Sequence, residues 1–230
     1  MKQTFVIAII FILISFNSCR EIKNEPKKSL VEQTEIDVEE QFYFDCKKQL
    51  INGIEYEACI KRPGIFTIKN SKEEVVFSQE ENPFDFEFND FNEDGYIDVL
   101  MNYATNSPGH QDLLLYDKNK DIFSKVETFY NFPNAKKIGK SNLYYSYHAS
   151  GCADNDWGSE LYELTGTNIT LLGKIEGLGC LENDTNGIYI YKVNGDDEKL
   201  LKYIKREQGY WKGKYDFIAE YWTENKDKFE

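Results

Sequence analysis

Residues 84–103 have the sequence FDFEFNDFNEDGYIDVLMNY, and the pattern of this stretch indicates the class of fold. Residues 84–89 alternate phenylalanine with acidic or amide residues, a period of two that predicts a β-strand with one apolar face. Residues 96–103 predict a second strand. The polar segment between them is therefore expected to be a loop that joins two strands.

The chain on both sides of this stretch consists of short apolar segments separated by polar turns. The clearest turn is Asn52-Gly53, which predicts a two-residue hairpin between residues 41–47 and 54–60. Similar strand–turn–strand patterns continue to the C-terminus, where residues 209–221 predict one or two last strands. We therefore predict an all-β fold of antiparallel hairpins that form a sandwich, a barrel or a partial propeller-like array.

The polar loop within the opening stretch has the pattern D-x-N-x-D-G-x-x-D. Calcium takes several hard oxygen ligands, and alternate residues of a curled loop can supply them. Gly95 stands at the sixth position, where the chain turns sharply with positive φ. The predicted ligands of one calcium ion are the side chains of Asp90, Asn92, Asp94 and Asp98 and the main-chain carbonyl of Tyr96.

The loop differs from an EF-hand, because position 12 is Met101 and both flanks predict strands. It resembles the strand–loop–strand calcium loops of FG-GAP and VCBS repeats. From residue 84 to residue 176, through Leu114–Asp117, Phe123 and Ser159–Tyr162, the chain resembles small β-rich bacterial envelope lipoproteins related to periplasmic lysozyme inhibitors. The resemblance implies a non-catalytic binding protein, specifically an inhibitor or immunity module against a lysozyme-like enzyme.

The N-terminus has the three parts of an export signal. Lys2 gives a positive start, residues 5–14 are an unbroken apolar run, and small or polar residues lead to Cys19. Residues 16–19 resemble a bacterial lipobox, which implies that Cys19 is lipidated. We predict a lipoprotein signal peptide over residues 1–18, a flexible tether over 19–40 and one β-rich domain over 41–230. The alternatives are a permanent anchor helix or a soluble secreted protein.

Four further cysteines fall in the exported part, where disulfides form. Around the Asn52-Gly53 turn, Cys46 faces Cys59 at a non-hydrogen-bonded position, where Cα atoms lie about 4.5 Å apart. We therefore predict a Cys46–Cys59 disulfide and, by elimination, a Cys152–Cys180 disulfide.

The chain is acidic, with a formal net charge of −13. The leader carries one lysine and no acidic residue, so its removal changes the charge to −14. This charge argues against nucleic acid as a partner and against docking on anionic lipid, so the membrane contact is expected to be the lipid anchor alone. It favours a cationic partner such as a lysozyme-like enzyme. The predicted location is the bacterial cell envelope, on the periplasmic or surface face of the outer membrane.

The candidate binding loop covers residues 148–158, and its candidate residues are His148, Ser150, Gly151 and Asp154. The lysozyme-inhibitor family has Ser-Gly-x-x-Tyr at such a loop, and this chain has Asp154 in the place of the tyrosine. No nucleophile-elbow pattern surrounds Ser150, so a hydrolase is the less favoured alternative. A carbohydrate-binding surface is a further alternative, because Tyr144–His148, Tyr210-Trp211 and Tyr221-Trp222 are aromatic clusters.

Overall fold

The computed structural model describes residues 43–62, 64–81, 83–180, 185–206 and 212–230. The predicted signal peptide, the lipidated Cys19 and the tether lie outside these residues. No helix within the described ranges is long and apolar enough to cross a membrane.

The described chain forms fifteen strands and one α-helix. The strands of the N-terminal sheet are β1 (Tyr43–Ile51), β2 (Ile54–Arg62), β3 (Ile65–Asn70) and β4 (Val75–Gln79). Those of the central sheet are β5 (Asp85–Asn89), β6 (Asp98–Asn102), β7 (Gln111–Asp117) and β8 (Ile122–Lys125). Those of the C-terminal sheet are β9 (Lys136–Lys137), β10 (Leu143–Tyr145), β11 (His148–Gly151), β12 (Asp156–Thr165), β13 (Asn168–Leu178), β14 (Gly187–Asn194) and β15 (Asp197–Lys205).

All the strand pairs are antiparallel, and the first two sheets are simple meanders in the orders β1-β2-β3-β4 and β5-β6-β7-β8. The C-terminal sheet has the order β15-β14-β13-β12-β10-β9, with β11 also paired to β12. The all-β prediction is confirmed. None of the three sheets closes on itself within the described residues, which argues against the barrel alternative and is consistent with an all-β sandwich.

The first hairpin has the predicted register. Asn52 and Gly53 both have positive φ, as a two-residue hairpin turn of this type requires. Cys46 faces Cys59 across the hairpin, their Cα atoms lie 4.1 Å apart, and the two form the predicted disulfide. The Cys152–Cys180 disulfide is also confirmed.

The central sheet is buried on both faces. Phe86, Val99 and Met101 belong to the core shared with the N-terminal sheet. Leu100 and Leu113 belong to a second core, shared with the C-terminal sheet. Because neighbouring residues of a strand point to opposite faces, β6 and β7 need an unbroken apolar sequence to fill both cores.

The far face of the C-terminal sheet is covered by the helix α1 (Lys214–Asn225). The prediction of strands is therefore wrong for residues 212–221, and residues 209–211 lie outside the described ranges. Lys214, Ile218 and Trp222 recur every four residues and are buried. Trp222 packs in a third core, which lies between the C-terminal sheet and α1. Its Nε1 donates a hydrogen bond of 2.8 Å to Ser159 Oγ. Gly173 of β13 allows this close packing, because a Cβ there would lie 2.6 Å from the ring of Phe229.

Candidate metal centre and binding loop

The predicted calcium loop joins β5 to β6, whose ends pair through Asn89 and Asp98. The loop is curled around the Asp90 carboxylate, which accepts a 3.0 Å hydrogen bond from the N–H of Asp94 and another of 3.0 Å from the N–H of Gly95. Gly95 has φ of 90°, the left-handed conformation expected from its place in the pattern. The loop is therefore flanked by strands, as predicted, and bends at the predicted glycine.

The next two predicted ligands are held inside the same turn. Asn92 Oδ1 accepts a 3.0 Å hydrogen bond from the N–H of Asp94, and Asp94 Oδ1 accepts one of 2.9 Å from the N–H of Tyr96. Such contacts tie the side chains of Asn92 and Asp94 to the main chain of the same turn. A cleft of about 280 Å³ beside the loop is lined in part by Asn92 and Asp94.

Asp98 differs from the other loop acids because it is fully buried. Its Oδ2 accepts a 3.1 Å hydrogen bond from the N–H of Phe91, and its Oδ1 accepts one of 3.0 Å from the N–H of Tyr116 in β7. Burial raises the pKa of Asp98 to about 7, the N–H donors oppose this rise, and the nearby charge of Asp94 adds to it. A cation in the loop would offset the cost of burying this charge.

The loop is also attached to the C-terminal sheet. Phe91 stacks on Tyr144 of β10 with ring centroids 5.2 Å apart and planes 8° apart. Lys137 of β9 donates a hydrogen bond to the carbonyl of Asn92 and forms an ion pair of 3.1 Å with Glu93. The loop therefore contacts both the central sheet and the C-terminal sheet.

The donor set fits calcium, since all five predicted ligand groups are hard oxygens and three of them are carboxylates. Within the described part of the chain, Cys152, Asp156 and Cys180 form a group whose possible ligand atoms all lie within 4.8 Å of one another. The acidic residues of the loop do not form such a group. The two cysteines form a disulfide, so they offer no thiolate to a metal. The loop, with its amide and main-chain carbonyl, is the better calcium candidate.

The candidate binding loop has an uncommon backbone conformation, because four consecutive residues have positive φ. Gly151, Cys152, Ala153 and Asp154 have φ of 140°, 54°, 50° and 68°. Three consecutive non-glycine residues with positive φ store backbone strain on the order of 1–3 kcal/mol each. Such strain persists only where neighbouring contacts fix the conformation. The segment Gly151–Asp154 is called the left-handed turn below.

Two sets of contacts fix the left-handed turn. The Cys152–Cys180 disulfide ties its start to the segment after β13. The Asp154 carboxylate accepts hydrogen bonds from the Tyr147 hydroxyl and from Lys214 Nζ, which also donates one of 2.9 Å to the Asp154 carbonyl. Burial and the Asp154 carboxylate together raise the pKa of the Tyr147 hydroxyl.

Lys214 is a residue that the sequence analysis missed. Its side chain is fully buried, and its ammonium lies 5.4 Å from the ring centroid of Tyr147 and 5.3 Å from that of Tyr215. A buried ammonium requires a partner, and Asp154 supplies one. The signal in the sequence was its spacing of four and eight residues from Ile218 and Trp222, which is visible once a helix is assumed.

The structure does not bring His148, Ser150 and Asp154 together as a hydrolase relay. His148 Nδ1 lies 3.5 Å from Glu160 Oε2, whereas Asp154 is engaged by Lys214. Ser150 lies exposed at the end of β11. A relay needs the histidine between the nucleophile and the acid, so these pairings do not support the hydrolase alternative.

A cleft of about 480 Å³ lies beside the left-handed turn. Its walls come from four parts of the chain: the link between β6 and β7, the chain before and within β9, the segment from β10 through the left-handed turn, and the first turns of α1. Residues lining it include Asn134, Lys136, Tyr145, Tyr147, Ala149 and Tyr215. Of the aromatic clusters noted in the sequence, Tyr144–His148 thus contributes to a cleft, Trp222 is a core residue, and Tyr210-Trp211 lies outside the described residues.

Comparisons with known proteins give little further guidance. No protein-family model matches the chain. No curated protein matches it significantly. Among solved structures, it is similar to a Xanthomonas type IV secretion system related protein, with 16% identity, a TM-score of 0.44, and coverage of 68% of this chain and 93% of that chain. A likeness of this size carries no conclusion about function.

The calcium assignment predicts a calcium-dependent rise in thermal stability. At a calcium concentration one hundred times Kd, an ion that binds only the folded state adds about 2.7 kcal/mol, which raises Tm by about 5–10 °C for a domain of this size. Differential scanning fluorimetry should show this rise in the wild type and not in Asp94→Ala.

Glu93→Ala is the matched control for the calcium titration. It removes one negative charge from the same loop, but Glu93 is not a predicted ligand and is exposed. The variant should keep the calcium-dependent rise. An equal rise in all three proteins, or none in the wild type, would show that the loop is an acidic turn without a metal.

The His148–Glu160 pair predicts a pH dependence of stability. The hydrogen bond to Glu160 raises the pKa of His148 above its usual value of about 6.5, and partial burial opposes the rise. A histidine whose pKa is higher in the folded state contributes its full stabilisation at pH values below its unfolded-state pKa. This contribution is lost as pH rises through its folded-state pKa.

Urea unfolding of the wild type and of His148→Gln at pH 5.5 and pH 8.5 checks this dependence. The free energy of unfolding of the wild type should exceed that of the variant by more at pH 5.5 than at pH 8.5. Comparing the two proteins at each pH removes the contribution of titrating groups that they share. An unchanged difference would mean that His148 is not stabilised in its charged form.

Proposed function

We propose that the chain is a non-catalytic, lipid-anchored protein of the bacterial cell envelope that binds and inhibits a cationic, lysozyme-like enzyme. Calcium held by Asp90, Asn92, Asp94, Asp98 and the Tyr96 carbonyl has a structural role in this proposal, because it fixes a loop that bridges two sheets. The ion supplies positive charge to buried and clustered carboxylates.

The left-handed turn is the observation that carries the binding role. Residues 149–153 are exposed one after another, yet their backbone is held by a disulfide on one side and by Asp154 with the buried Lys214 on the other. A rigid exposed segment loses little conformational freedom when it binds, so more of its contact energy appears as affinity. Strain of this kind is concentrated at functional sites.

Net charge supports a cationic partner. The formal charge of −13 for the chain attracts a positively charged protein over about a Debye length and raises the association rate at low salt. The family resemblance favours a lysozyme-like enzyme among such partners. Asp154 stands at the position of the family's tyrosine, and it faces Lys214 and supports the turn. The exposed residues before Asp154 make the contact with the enzyme in this proposal.

Inhibition of cell-wall hydrolysis tests this proposal directly. The oxidised, calcium-loaded mature protein should inhibit at least one enzyme in a panel of cationic muramidases, with an association rate that falls as salt increases. Ser150→Arg should weaken inhibition by about tenfold or more, because it places a positive charge on the exposed turn that meets a cationic partner.

Ser71→Arg is the control for this substitution. Ser71 lies in the exposed turn between β3 and β4, so the variant has the same change of charge at a different surface. It should inhibit nearly as well as the wild type. No inhibition by the wild type, or equal loss in the two variants, would count against a binding role for the left-handed turn.

Membrane attachment is tested by removing the predicted acylation site. The full-length wild type, expressed in a Gram-negative host, should incorporate labelled fatty acid and sediment with membranes, because two or more acyl chains give stable anchoring. Cys19→Ala should incorporate no label and leave the membrane fraction, whereas Ser29→Ala in the tether should behave as the wild type. Equal sedimentation of Cys19→Ala would mean that something other than Cys19 anchors the chain.

A further inference from the structure

The cleft beside the left-handed turn is assembled from two regular surfaces. Tyr145 of β10, Tyr147 in the link after it and Ala149 of β11 line one surface of the cleft. Tyr215 and Ile218 line it from the facing surface of α1, three residues apart. Its volume of about 480 Å³ lies within the usual range of small-molecule sites, roughly 300–1,000 Å³.

The aromatic walls are fixed before any ligand arrives. Tyr147 and Tyr215 meet edge to face with ring centroids 4.8 Å apart, and the Tyr215 hydroxyl lies 3.5 Å from the Tyr147 hydroxyl. Asn134 donates 3.1 Å hydrogen bonds to the carbonyls of Pro108 and Tyr147, which holds the loop containing Pro108 against the strand. A preorganised cleft loses less conformational entropy on binding.

The charges in the cleft favour a ligand without strong net charge. Asp154 is 28% exposed at its edge, but the buried Lys214 already neutralises this carboxylate. Lys136 is exposed and carries one positive charge at the opposite wall. A fully apolar ligand would desolvate these polar groups without replacing their hydrogen bonds, which is unfavourable.

Sugars combine the two chemistries that the cleft offers. One face of a pyranose ring is lined by C–H groups that pack on tyrosine rings, and its edge carries hydroxyl groups that pair with carboxylate, ammonium and phenol groups. Tyr145 and Tyr147 are two residues apart in the chain and both line the cleft, so two phenol groups are available to one short saccharide. We propose that this cleft binds a short, uncharged oligosaccharide, a function separate from inhibition of an enzyme.

Calorimetric or NMR titration of the mature, oxidised protein with two probes tests the proposal. The probes are the β-1,4-linked tetramers of N-acetylglucosamine and of glucose, which distinguish an acetamido sugar from a plain one. The wild type should bind at least one of them. Tyr215→Ala should bind it about tenfold more weakly, as expected for the loss of one aromatic wall.

Tyr203→Ala is the matched control, because Tyr203 of β15 is 41% exposed, close to the 49% of Tyr215, and does not line the cleft. It should bind as the wild type does. Ala149→Trp is a second test that removes no contact: Ala149 is exposed at the cleft, and an indole there should occupy the space and abolish binding.

Two results would overturn the proposal: no binding of either tetramer at millimolar concentration, or binding that both Tyr215→Ala and Ala149→Trp leave intact. If these variants instead weaken inhibition of a muramidase while the wild type binds no tetramer, the cleft belongs to the protein interface and the saccharide proposal is wrong. Inhibition and saccharide binding are measured separately, so either can fail without the other.

Discussion

A single carboxylate, Asp98, is buried where the candidate calcium loop meets the central sheet, and its oxygens accept main-chain N–H groups from Phe91 and Tyr116. These bonds join the loop to β7, while Phe91 itself stacks on Tyr144 of the next sheet. Burying a carboxylate is unfavourable unless donors or a cation compensate, and burial raises the pKa of Asp98 although the two N–H groups oppose this rise. A cation in the proposed site would offset this cost.

The left-handed turn is a second place where the chain accepts an unfavourable local state. Strained φ values at Cys152, Ala153 and Asp154 and the full burial of Lys214 are each destabilising alone. They occur together: the buried Lys214 ammonium is paired with the Asp154 carboxylate, and this pair is in turn one of the contacts that fix the turn. Such mutual dependence yields one rigid arrangement of an exposed segment, which suits recognition better than stability.

Local rules of sequence predicted the parts that depend on neighbouring residues. The Asn52-Gly53 turn fixed the register, and that register placed Cys46 opposite Cys59. Gly95 marked the bend of the loop for the same local reason. The C-terminal helix was missed because its many aromatic residues favour strands, although Asp216, Glu220 and Glu224 lie on its exposed face at the helical period. The cleft was missed because it joins strands to this helix, a contact that no local pattern specifies.

The two candidate sites share one pair of strands. In β9 and β10, Lys137 pairs with Tyr144, and Lys136 pairs with Tyr145. Since neighbouring residues of a strand face opposite ways, the first pair contacts the calcium loop and the second lines the cleft. In the proposed function, an ion that orders the loop at Asp98 would therefore also support the strand pair that carries Tyr145. The proposed calcium would have a structural role in this arrangement, and the surface that it supports would be the one on which binding is proposed.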